Sequence, residues 1–270
     1  MLKEGKELKI YYLLSIPLII LTIIAAMGEL LIEDLHKDTL INFIGFTSFN
    51  ILTLFIVIPI FITSLLYSVK GSLKATLIWM GCLGYTLYTY ILYTCTAEYN
   101  EFFLIYVTIF SLSLYMLIGI SISLNPIEIK EQFKTEMPKK LIAGILIVTG
   151  ILFLFFWVMQ NIGILIKEDF SYPEEELKLK YVFAIDIGFL FPLMAISGIC
   201  LIKEKPFGYI FSGVSLVKGM TIGLGLTIGG LLELKAGVFA DYELYPMFVI
   251  VGIVFSIALF IYIKNIEPSK

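Results

Sequence analysis

An all-α, polytopic transmembrane bundle of about eight helices is the fold this sequence predicts, and three observations predict it. The 270 residues are 59% hydrophobic and only 15% charged, where a soluble domain carries about 25% charge. Mean hydropathy is +0.97. The apolar residues fall into eight runs, each long enough to cross a hydrocarbon core of about 30 Å. Basic residues gather in alternate connections between those runs, as they do where a chain threads back and forth through a membrane.

The first run, Ile10–Gly28, is longer than the apolar core of a signal peptide, about 7 to 15 residues. Its Ala25-Ala26-Met27 is a poor cleavage site, so it reads as a retained helix. The second, Leu40–Tyr67, carries Pro59, whose missing N–H predicts a kink. The third, Ala75–Cys95, bears Tyr85, Tyr88, Thr89, Tyr93 and Thr96 at spacings that draw one polar stripe down a helix face. The fourth, Phe102–Leu124, is followed by the longest connection, Asn125–Lys140. The fifth, Leu141–Ile166, places Gln160 and Asn161 near its outer end. The sixth, Tyr181–Ile202, contains Asp186 and Pro192, and the seventh, Phe207–Leu232, contains Lys218 and a run of glycines. The eighth is Pro246–Ile263. The connecting pieces are too short to hold a soluble domain, so residues 1–270 form one membrane domain.

All 19 basic residues are lysine. Thirteen lie on the side that holds both termini, five lie on the other, and Lys218 lies in between. Cytoplasmic loops retain lysine, which predicts the cytoplasmic membrane with both termini inside. The opposite face is acidic, with 14 carboxylates that include Glu33, Asp34, Glu168, Asp169 and Glu174–Glu176. The net charge of −3 and the lack of a basic run interleaved with aromatics exclude a nucleic-acid partner. Lysine without arginine is the composition of an AT-rich genome and points to a prokaryote. Three scattered cysteines, Cys82, Cys95 and Cys200, make neither a disulfide framework nor a metal site.

A shift of 133 residues lays the first four runs on the last four, so that Pro59 falls on Pro192 and Lys70 on Lys203. The half-units would be 1–137 and 138–270, four crossings each, related by an axis along the membrane normal. Transporters use that plan.

Asp186 and Lys218 are costly inside a bilayer and need partners. The turn between their helices is Lys203–Pro206, which makes the two helices antiparallel neighbours. Asp186 then lies about 24 Å from the inner end of its helix and Lys218 about 17 Å from that of its own. A lysine side chain spans the difference, so the two are expected to meet. The pair either locks two helices together or lines a polar cavity that binds an ion or a small polar solute. Gln160, Asn161, Tyr85 and Tyr88 are the further candidates for such a site. Gly219–Gly223 and Gly225–Gly229 have the four-residue spacing of helix dimers, which leaves a homodimer or partner subunit open beside the surrounding lipid.

Catalysis has little to work with. His36 is the only histidine, so no metal site can be assembled at ligand spacing, and no glycine-rich phosphate loop or serine elbow is present. No cofactor, metal or catalytic residue is assigned. A lipid-modifying enzyme would have to rely on His36 or Glu174–Glu176.

The stretch Tyr181-x4-Asp186-x5-Pro192, followed by Lys203-x-Lys205-Pro206-Phe207-Gly208-Tyr209 and Lys218, resembles a group of prokaryotic multi-pass membrane proteins without an assigned activity. The relatives carry Arg and Trp where this hairpin has Lys and Phe. The resemblance implies an integral membrane protein and supplies no reaction. Together with the intramembrane charges it leads to the expectation of a small transporter, permease-like or solute-binding component, with a non-catalytic scaffold or sensor partner as the rival.

Overall fold

The computed structural model describes residues 8–32, 35, 40–167, 174–238 and 245–267, with the backbone alone for 167 and 174–179. The helices are α1 (Lys9–Leu31), α2 (Leu40–Val69), α3 (Leu73–Thr96), α4 (Phe103–Ser123), the short α5 (Pro126–Glu131), α6 (Lys139–Lys167), α7 (174–202), α8 (Pro206–Ala236) and α9 (Tyr245–Lys264). All but α5 contain a stretch long and apolar enough to cross a membrane. The chain is a multi-pass integral membrane protein of all-α fold. Helices satisfy their backbone hydrogen bonds internally, which is what a solvent without hydrogen-bonding capacity demands.

Burial runs opposite to that of a soluble protein. Phe55, Ile122 and Phe260 face outward, where lipid tails receive them. Ser15, Thr22, Asn50, Ser113 and Ser212 are enclosed. With no hydrophobic drive between helices in lipid, small residues and hydrogen bonds hold the bundle together.

α3 and α8 form the centre and pack directly on each other. Their closeness depends on two glycines: a Cβ on Gly81 would lie 2.5 Å from Val217, and one on Gly84 would lie 2.7 Å from Val214. α2 and α4 flank α3, α7 and α9 flank α8, and α2 also reaches α8. The small residues of α8 are used within the chain. Gly219 receives the ring of Phe255, Gly223 lies against the backbone of Gly252, and Gly225 receives the ring of Phe49.

In the two helices that carry Pro59 and Pro192, a widened turn directly precedes the proline-containing segment. In α2 the residues Thr53–Val57 form a π turn, closed by the Ile58 N–H on the Thr53 carbonyl. In α7 the residues Asp186–Leu190 do the same, closed by the Phe191 N–H on the Asp186 carbonyl. Proline removes one N–H and its ring crowds the carbonyl four residues back, and a π turn makes room for it.

A shift of 133 residues matches some of the helix boundaries of the first half to those of the second. It carries Thr53–Val57 onto Asp186–Leu190, Ile58–Val69 onto Phe191–Ile202, and the start of α3 onto the start of α8. Gly71 (φ 86°) in one hairpin matches Glu204 (φ 52°) in the other, both left-handed. Under the same shift the contact Gly81–Val217 becomes Val214–Gly84, which is also made.

The lysine-rich end is tied together. Lys134 N–H donates to the Asn265 carbonyl (2.9 Å) and Glu267 N–H to that of Gln132 (2.8 Å), pinning the segment after α5 to the end of α9. The Phe133 ring sits between Tyr209 and Tyr262. In the α7–α8 hairpin, Glu204 pairs with Lys139 and, at 3.6 Å, with Lys130.

Candidate functional site

The first residue of the α7 π turn is Asp186, which points its carboxylate into the bundle and is 5% exposed. Tyr88 of α3 donates its hydroxyl to Oδ1 at 2.5 Å, and Trp157 of α6 donates its indole N–H to Oδ2 at 2.9 Å. Two donors, one per oxygen, replace the water that a buried carboxylate has lost. Trp157 is held in turn by the edge of Phe183, with ring centroids 4.9 Å apart.

Lys218 of α8 is 3% exposed. Its Nζ lies 3.6 Å from the centroid of the Tyr88 ring and 5.2 Å from that of Tyr85. The direct meeting of Asp186 and Lys218 expected from helix depth is replaced by a three-part stack. The carboxylate takes the edge of Tyr88 through its hydroxyl, and the ammonium sits over the face of the same ring. Tyrosine is suited to this, since its quadrupole attracts a cation at the face while its O–H serves an anion at the rim. The aromatic faces leave the ammonium's donors open, and Lys218 Nζ has no hydrogen-bond partner.

Tyr85, which the 133-residue shift places on Lys218, shares a hydrogen bond of 2.7 Å with Thr53, the counterpart of Asp186. The first half thus holds a neutral Thr–Tyr pair where the second holds the charges. Further along the α2–α3 contact, Tyr93 OH donates to Asn50 Oδ1 (3.2 Å) and to the Phe46 carbonyl (3.1 Å).

Gln160 and Asn161 do not join this centre. Gln160 is exposed on α6, and Asn161 donates back to the Trp157 carbonyl at 2.8 Å. The group that α6 does contribute, Trp157, lies within an unbroken apolar run and gave no polar signal, although an indole is the one large apolar side chain with an N–H to offer. Glu29 is a second addition. By sequence it falls just past the first apolar run and among the carboxylates of the acidic face, yet α1 continues to Leu31 and buries it at 2% exposure. There it lies near Tyr90 and Tyr93. The apolar Leu30-Leu31-Ile32 that follows Glu29 was the available clue.

Among the described residues no cluster of His, Cys, Asp or Glu could hold a metal. His36 and the side chains of Glu174–Glu176 lie outside the described residues. The arrangement can hold a negative and a positive charge inside the membrane, keep them apart by one aromatic ring, and present unused ammonium donors beside a helix whose hydrogen bonding is loosened by a π turn. Comparison with known proteins returns no matching family model, no matching curated protein and no matching solved structure.

Proposed function

We propose that the chain is a small transporter or solute-binding component of a prokaryotic cytoplasmic membrane, with both termini cytoplasmic, built from two four-helix units. Its site is the Asp186–Tyr88–Lys218 stack, and its ligand is a small polar solute or ion that carries a hydrogen-bond acceptor. One observation carries this reading: Lys218 Nζ is buried and has no hydrogen-bond partner. A lock between two helices would spend the Asp186 oxygens on the ammonium. Here Tyr88 and Trp157 take those oxygens instead. A buried ammonium with open donors is expensive, and a solute carbonyl, carboxylate or halide would relieve the cost. The π turns at Thr53 and Asp186 support it further, since π turns gather at functional positions.

The test is a thermal-shift panel on purified protein with halides, small carboxylates, amides and phosphate, for wild type, Lys218→Met and Asp186→Asn. One class is expected to stabilise wild type by mass action, about 2.7 kcal/mol at a hundred times Kd, and to leave Lys218→Met unmoved. A panel without effect on wild type overturns the reading.

The second reading, a membrane scaffold or sensor partner in which the stack only locks the bundle, is favoured by the 3.6 Å seating of Lys218 on Tyr88. It predicts that Asp186→Leu with Lys218→Met matches wild type under every condition while each single change destabilises.

A further inference from the structure

Among the buried polar groups of the described residues that have no hydrogen-bond partner, three lie on the side of the stack that faces the acidic end. They are Thr89 Oγ1, Asn50 Nδ2 and Tyr106 OH, on residues that are 4%, 1% and 1% exposed. Along α3, Tyr85, Thr89 and Tyr93 follow at four-residue steps on one face. Along the antiparallel α2, Thr53, Asn50 and Phe46 face them. The outer rungs are made, Tyr85 to Thr53 and Tyr93 to Asn50 and Phe46. Between them Thr89 lies beside the Tyr85 hydroxyl but makes no hydrogen bond of good geometry, and the amide nitrogen of Asn50 offers two hydrogens to nothing. Tyr106 of α4 continues the line, its ring 5.8 Å from that of Tyr93.

An orphaned hydroxyl or amide inside an apolar bundle keeps the full cost of its lost hydration. Two in the α2–α3 seam and a third beside it on α4, with Lys218 Nζ at the inner end, are more than a packed membrane protein leaves unanswered. All are small hydroxyl or amide groups, and a molecule that both donates and accepts at several of them is water. We propose that the α2–α3 seam is a water-binding site, a file of ordered internal waters running from the Lys218 stack past Thr89, Asn50 and Tyr106 toward the acidic end where Glu29 is buried. Its span from Tyr85 to Tyr93 is about 12 Å. Through it the buried charges exchange protons and water with one side of the membrane, while the packed α3–α8 crossing at Gly81 and Gly84 bars the other.

Synchrotron X-ray hydroxyl-radical footprinting with mass spectrometry tests this on the unaltered protein in detergent or nanodisc, because radicals form from bound water where it sits. Tyr106, whose hydroxyl has no protein partner, is expected to label several-fold faster than Tyr262, which is as deeply buried but whose hydroxyl is satisfied by the Tyr209 carbonyl. Labelling as slow as that of Tyr262 overturns the proposal. Thr89→Val gives a second reading through stability. It removes a water's partner if the seam is wet and lowers the melting temperature, whereas in a dry seam it deletes an unsatisfied hydroxyl and raises it. Footprinting reads water and the thermal-shift panel reads solute, so this inference and the function proposed for Lys218 fail separately.

Discussion

Tyr88 serves Asp186 with its hydroxyl and Lys218 with its ring face, so the two roles can be separated by substitution. Tyr88→Phe keeps the ring and deletes the donor. A hydrogen bond to a charged group is worth about 1.5–3 kcal/mol, and a loss of that size is expected in the unfolding of the purified protein. Tyr88→Leu also strips the cation of its aromatic face and is expected to cost more. If Tyr88→Phe is neutral, the hydroxyl does not carry the carboxylate. Asp186→Asn sets an NH2 group against one of two donors and leaves Lys218 without its counter-charge. Breaking a buried pair from one side typically costs about 3–5 kcal/mol. At this scale the sequence was legible where a residue type was out of place: Asp186 and Lys218 stand out in any apolar run. It is not legible where the residue type suits a membrane, as with Trp157, or where the helix continues three residues beyond the apolar run, as past Glu29 to Leu31. Nor could linear depth show that a ring from a third helix separates the charges, since that depends on the rotation of α3 against α7 and α8.

The α3–α8 crossing is the element-level feature on which the stack depends, because it brings Tyr85 and Tyr88 beside Lys218. Gly81 and Gly84 let Val217 and Val214 seat against the opposing backbone. Gly81→Val puts a branched side chain where a Cβ already lies 2.5 Å from Val217. Overpacking of this kind costs about 1–3 kcal/mol. Val217→Ala in the Gly81→Val background is expected to recover part of the loss, and a double-mutant cycle on melting temperature measures how much. Strict additivity would mean the two positions do not touch. Helix existence and order were readable here because an apolar run of bilayer length has few alternatives. The run Ala75–Cys95 became Leu73–Thr96, and Phe207–Leu232 became Pro206–Ala236. The prolines announced a disturbance in α2 and α7, but its form, a five-residue π turn at matching places, depends on hydrogen-bond registry that composition does not record. The pairing of Gly81 with Val217 and Gly84 with Val214 was hidden for the same reason, since glycines in a membrane helix mark close approach without naming the partner.

Across the whole molecule the two ends differ in charge, and that difference gives two tests. At the lysine-rich end the Lys139 ammonium, with a smaller contribution from Lys130, holds the Glu204 carboxyl below its ordinary range. A carboxyl lowered in the folded state contributes stability that is complete above its unfolded value, about 4.3, and that is lost as pH falls through the folded value. Melting temperature is therefore expected to decline on acidification below about pH 4.3, less steeply in Glu204→Gln, with a difference that shrinks at high salt because the pair is exposed. An identical acid limb in both proteins would show that this ion pair is idle. The second test concerns which end is cytoplasmic. Cys95 is exposed in the last turn of α3 at the acidic end, whereas Cys82 is buried. With both termini inside, a membrane-impermeant maleimide is expected to label Cys95 in intact cells. In a Cys95→Ala background, Glu204→Cys in the hairpin at the opposite end is expected to label only after the membrane is opened. The reverse pattern would invert the bundle and, with it, the side to which the α2–α3 seam opens. The Lys218 stack would then draw its water from the cytoplasm, and the 13 lysines would face outward against the retention of positive charge that sets membrane topology.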